Sequence, residues 1–163
     1  MSGGLSKSVF EKQTLELKNV LSYRAKMTQQ ELQTKSMEIE KLLTETGTNK
    51  AAPATTTTFS VEQGISEPVM DIEILIPLDR EIVPPTGYIW KPRILLTNAL
   101  MIQHIGNPST LQNTVNELNA YIVEHQLVPI TTGYNVTVKE AKTPLELDSM
   151  EVDIYVGISP NLL

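Results

Sequence analysis

The chain contains no cysteine, only two histidines and a single tryptophan in 163 residues. Without cysteine, neither a disulfide framework nor a thiolate metal site is possible. Clustered positive charge is missing too: 13 Lys and Arg stand against 19 Asp and Glu, a net charge of -6. A phosphate-binding surface needs the opposite balance, so nucleic acid is not expected as a direct partner. No run of about 18 apolar residues occurs, and Met1 to Lys12 holds no apolar segment of signal-peptide length. A membrane role is therefore not expected, and the expected compartment is the cytoplasm. Gly-x-Ser-x-Gly, P-loop and dinucleotide fingerprints are also lacking, so no catalytic residue, metal or cofactor is assigned.

What is present is a duplication. The stretch Leu17 to Thr48 recurs at Leu96 to Leu127, at a constant displacement and without a gap. It pairs Leu17 with Leu96, Asn19 with Asn98, Leu21 with Leu100, Gln33 with Gln112 and Glu38 with Glu117. The matched positions also share physical roles. Thr28 with Glu31 forms a capping box, while Asn107 in the same slot precedes Pro108, the residue favoured at the first helical position. Behind these caps Leu111, Val115, Leu118 and Ile122 form one apolar stripe, and Leu32, Ile39 and Leu43 repeat it with Ser36 as its defect.

Around the helices the pattern changes to period two. Leu15 to Lys26 alternates, with Leu17, Leu21, Tyr23 and Ala25 on one side and Lys18, Ser22 and Arg24 on the other. The helix Gln29 to Thr46 ends at Gly47, a natural helix terminator. Strands follow at Thr55 to Val61 and Val69 to Pro77, the latter with Ile72, Ile74 and Ile76 on one face. The second half repeats this with a strand at Ile94 to Ile105, a helix at Pro108 to Gln126 and strands at Thr131 to Lys139 and Glu151 to Ser159. Glu140 to Met150 reads as an acidic loop. The predicted fold is α+β: a strand-helix-strand-strand unit performed twice, an antiparallel sheet with two helices on one face and a groove on the other. We expect a single domain over 1–163, with repeat one at 15–78, a crossover at 79–93, repeat two at 94–159 and a flexible tail at 1–10.

The residues Ile76-Pro77 between repeats, His104-Ile105-Gly106 leading into the second helix, and the closing strand Glu151 to Val156 resemble a known family. This is the gyrase-inhibitor-like effector-binding domains, found also as the ligand-sensing part of bacterial transcription activators. The resemblance is strongest over Met70 to Ile158. It implies binding of an amphipathic, often cationic, organic molecule between aromatic walls and a buried carboxylate; a few relatives are thought to hydrolyse small ligands. Two family features are absent: the aromatic residue after His-x-Gly, and any acid in Thr131 to Val138, where the ligand-sensing glutamate belongs. No helix-turn-helix is expected in this sequence, so a role in transcription would run through another protein.

The leading candidate residue is Glu73, mid-strand between isoleucines on the face away from the helices, with Tyr155 expected at the equivalent place in the other repeat. A carboxylate there pairs with a ligand cation or has its pKa raised by desolvation; the plainer reading is a solvated strand residue. Tyr88, Trp90, Tyr134 and Tyr155 are candidate aromatic walls and Met101 a candidate apolar floor, against the plainer reading of ordinary packing. His104 and His125 lack ligand-spaced partners and are read as structural. The expected function is a non-catalytic module binding a small amphipathic ligand; a protein-interaction role through the groove or a sheet edge, and a small hydrolase, are the alternatives. A homodimer is compatible with the sequence.

Overall fold

The computed structural model describes residues 8–161. Most of the expected flexible tail lies outside them; Val9 and Phe10, counted in that tail, belong to the first strand. The elements are β1 (Val9–Met27), α1 (Gln29–Thr46), β2 (Thr55–Glu62), β3 (Val69–Pro77), β4 (Ile89–Ile105), α2 (Leu111–Glu124), β5 (Pro129–Lys139) and β6 (Glu151–Ile158). The expected strand-helix-strand-strand order is therefore observed twice. The chain divides into two compact units, 16–94 and 95–163, the latter joined by the N-terminal residues through Leu15.

In the first unit β3 is central and pairs antiparallel with β1 and β2. Its alternation sends Ile72, Ile74 and Ile76 to one face, where they meet Leu21 of β1 and Ile39 and Leu43 of α1. α1 starts where its sequence says: Thr28 accepts from the Glu31 backbone at 3.2 Å while Glu31 accepts from the Thr28 backbone at 3.0 Å. It stops at Gly47, whose φ of 67° suits a residue without Cβ. Replacing Thr28 by alanine removes one half of this box. The expected loss is about 1 kcal/mol, read from the urea midpoint at unchanged slope.

The second unit repeats the arrangement, with β6 central between β4 and β5. Leu100, Ile102, Val152, Ile154 and Val156 pack against Leu118 and Ile122 of α2. Each such side chain contributes roughly 1.5–3 kcal/mol through burial.

Several boundaries differ from expectation. β1 begins at Val9 rather than Leu15; Lys12, with φ of 56°, interrupts the alternation ahead of Leu15. β4 begins at Ile89, so Tyr88 to Arg93, expected as crossover, is mostly strand. α2 is preceded by a 3-10 turn at Pro108–Thr110 and ends at Glu124, and another 3-10 turn, Pro144–Ser149, occupies the expected acidic loop. The face turned away from α1 is also not open: Ser22, Thr55, Thr57, Glu73 and Leu75 are all buried. Among the described residues no helix is long and apolar enough to cross a membrane.

Candidate functional site

Glu73 lies on β3 in register with Arg24 of β1 on one side and Thr57 of β2 on the other. Strand alternation turns it away from α1, and it is 5% exposed. A buried carboxylate needs partners, and here the chain supplies them. The Ser22 hydroxyl donates to Oε2 at 2.5 Å, and Lys91 Nζ stands 2.5 Å from the same oxygen. The nearer cation by register, Arg24, is committed elsewhere. It makes a two-pronged contact with Asp71 at 3.0 and 2.9 Å, and its guanidinium lies 3.7 Å from the centre of the Phe59 ring. Hydrogen bonding to Arg24 holds the Asp71 carboxyl below its ordinary range.

Tyr88 and Trp90 belong to the same unit but not to the same face. Both pack against the cluster of Leu21, Ile39 and Ile74 under α1. The Tyr88 ring lies 5.2 Å from that of Tyr23, with Lys35 Nζ of α1 over both at 4.9 and 4.0 Å. These aromatics anchor the helix, and the structure does not assemble them with Glu73.

Met101, Tyr134 and Tyr155 are brought together. Tyr155 on β6 stands directly opposite Met101 on β4 and Tyr134 on β5, so the three form one row across the sheet on the side away from α2. The adjacent row is Gln103, Asp153 and Val136. Asp153, on the central strand of that row, is not among the sequence candidates. Its Oδ1 is buried with no hydrogen-bond partner among the described residues. Burial pushes its carboxyl up, a hydrogen bond with the Gln103 side chain pulls it down, and the charge of Glu151 adds to the rise. The Tyr155 phenol is raised by burial and then by Asp153.

Register fixes how the repeats correspond. The displacement that carries Leu17 to Leu96 also carries Arg24 to Gln103 and Thr57 to Val136. Arg24 and Thr57 flank Glu73, whereas Gln103 and Val136 flank Asp153. The counterpart of Glu73 is thus Asp153, not Tyr155 as the sequence suggested; Tyr155 corresponds to Leu75, Met101 to Ser22 and Tyr134 to Thr55. The central strands are offset by a single position more than the flanking ones, which an ungapped comparison misses. Both units place a carboxylate at the same position. One is neutralised from within the chain, and the other is left with a bare oxygen and an aromatic row beside it.

His104 is 2% exposed and bridges Thr114 Oγ1 at 2.7 Å and the Asn107 carbonyl at 3.0 Å. The carbonyl can only accept, so Nε2 donates to Asn107, and Nδ1 shares a hydrogen bond with the Thr114 hydroxyl. His125 stacks on Tyr121 with ring centres 3.8 Å apart. Among the described residues no cluster of three or more His, Asp or Glu is placed to hold a metal ion.

No family model and no curated protein matches the chain. Solved structures do. The C-terminal domain of EcmrR aligns with a TM-score of 0.76 and 13% identity over 95% of this chain and 99% of that one. EcmrR in a complex with DNA aligns with a TM-score of 0.75 and 14% identity over 93% of this chain, which spans 57% of that longer protein. A hydrolase from Listeria innocua aligns with a TM-score of 0.61 and 13% identity over 97% of this chain and 95% of that one. At such identities the likeness is one of fold, and at that level it agrees with the resemblance carried by Ile76-Pro77 and His104-Ile105-Gly106.

Proposed function

We propose that this chain is a non-catalytic binding module of the gyrase-inhibitor-like, effector-binding kind, and that it takes a small amphipathic cation on the sheet face of the second unit turned away from α2. Met101, Tyr134 and Tyr155 supply the apolar and aromatic contact, and Asp153 sets the charge preference. The observation that carries this reading is the buried, unpartnered oxygen of Asp153 beside that row. An organic cation offers it compensation without asking for many hydrogen bonds, and aromatic faces add cation–π attraction. Glu73, with Lys91 and Ser22 on its carboxylate, has its compensation already and is proposed as a structural acid. The fold shared with EcmrR, which is known in a complex with DNA, supports a regulatory setting in which this chain acts through another protein.

Calorimetric titration with benzyltrimethylammonium, its neutral isostere neopentylbenzene and benzoate tests the proposal. The cation is expected to bind at least about tenfold more tightly than the isostere, a difference of about 1.4 kcal/mol. Equal affinity for cation and isostere would remove Asp153 from the site. A second reading, docking of a protein segment, is favoured by one specific feature: Val128, Ile130 and Val138, along and just before β5, are 50, 62 and 48% exposed. Silence of the whole panel together with recovery of one stoichiometric protein partner would select it.

A further inference from the structure

The second unit carries a lysine at the position from which, in the first, Lys91 reaches Glu73. The displacement that relates Leu96 to Leu17 takes Lys91 back to Lys12 on β1, and the preceding residues confirm the correspondence. Trp90 packs against the core under α1, and its counterpart Glu11 accepts a hydrogen bond from Tyr121 of α2. Both therefore face their helix, and alternation sends the next residue to the opposite side. Lys91 follows that rule and its ammonium meets Glu73. Lys12 does not. Its φ of 56° lies in the left-handed region, and its exposed side chain lines a hollow of about 340 Å³ with Asn98, Leu127 and Ile158. Asp153 keeps its unpartnered oxygen.

We propose that Lys12 is a tethered competitor for Asp153: when its backbone passes from the left-handed to the extended conformation, its ammonium closes the second site as Lys91 closes the first. The inference rests on reading Asp153 as the ligand carboxylate. A long side chain in the left-handed region is held there at a cost that extended backbone relieves, so the closed form lies within reach of the open one. A cationic ligand then binds by keeping Lys12 out, and the fraction of open site scales its affinity.

The test uses the whole chain with Lys12→Met, Lys12→Arg and Lys91→Met. Two quantities are read: the titration midpoint of the Asp153 carboxyl by ¹³C NMR, and the affinity for benzyltrimethylammonium by calorimetry. In Lys12→Met the midpoint is expected to rise and the dissociation constant to fall at least about twofold, as for a competitor that occupies the site half of the time. Lys12→Arg should keep both near the wild-type values, and Lys91→Met should leave the Asp153 midpoint in place. An unchanged midpoint and affinity in Lys12→Met overturns the proposal. A raised midpoint with no binding of the probe to either protein upholds the Lys12–Asp153 contact and overturns the ligand reading instead.

Discussion

Asp153→Asn is expected to weaken benzyltrimethylammonium binding about 10- to 100-fold while leaving the protein slightly more stable at neutral pH. A charged contact at a partly desolvated carboxylate is worth about 1.5–3 kcal/mol, which sets that range. The gain in stability has a different source. Burial raises the Asp153 carboxyl above its ordinary value of 3.8, so folding favours the protonated form. Between 3.8 and its raised value in the folded chain, the folded carboxyl holds a proton that the unfolded chain releases. The contribution of this group to stability is therefore greatest below 3.8, falls as pH rises through the window above it, and stays unfavourable once the folded carboxyl has ionised. Asparagine removes that penalty. Because Asp153 is only half-buried, the effect is discounted to a few tenths up to about 1 kcal/mol. Urea unfolding at pH 3 and pH 7 checks this: the variant should gain at pH 7 and match wild type at pH 3. A variant that loses stability at pH 7 would show that Asp153 makes favourable contacts in the folded chain.

Lys91→Met carries the largest expected cost. It leaves the Glu73 carboxylate, 5% exposed, with the Ser22 hydroxyl and only the more distant charge of Arg24, whose guanidinium is held by Asp71. Breaking a buried pair from one side costs about 3–5 kcal/mol. The Lys91 side chain is 37% exposed, so solvent screens part of the attraction and about 2–3 kcal/mol is expected. The double variant Lys91→Met, Glu73→Gln should recover most of it, since the penalty belongs to the orphaned charge rather than to the lost contact. A double-mutant cycle in urea reads both numbers. A neutral Lys91→Met would mean that the Ser22 hydroxyl and the charge of Arg24 suffice for Glu73.

Much of this architecture is legible in the order of the amino acids alone. The capping box at Thr28, the proline after Asn107 and the isoleucine alternation of β3 are local signals with local causes, and they appear where the sequence places them. What a period-two pattern reveals is phase: it puts Ser22 and Glu73 on the side away from the helix. It does not reveal whether that side meets water, and Ser22, placed there beside Lys18 and Arg24, is 1% exposed. Asp153 is hidden by register instead: the extra position in the central strands sets Val152, not Asp153, opposite Glu73 in an ungapped comparison. Lys91 is hidden by Pro84-Pro85 and Gly87, which make its stretch read as the crossover between repeats. One signal was available: Lys12 and Lys91 stand apart by the same interval as Leu17 and Leu96, just outside the matched core of the repeat.

The membership of the N-terminal residues in the second unit bears on how the chain is made. Val9 to Leu15 leave the ribosome ahead of the first unit, yet they belong with residues that begin at Leu95. The contiguous unit 16–94 has all its residues once Ile94 has emerged and can close during synthesis. The leading segment waits until that whole unit has passed, a long and entropically expensive loop closure. A fragment cut at Leu95 and expressed alone would lack Glu11, the acceptor of the Tyr121 hydroxyl. The second unit is recovered as one unbroken polypeptide only by circular permutation, with residues 8–15 spliced after the closing strand.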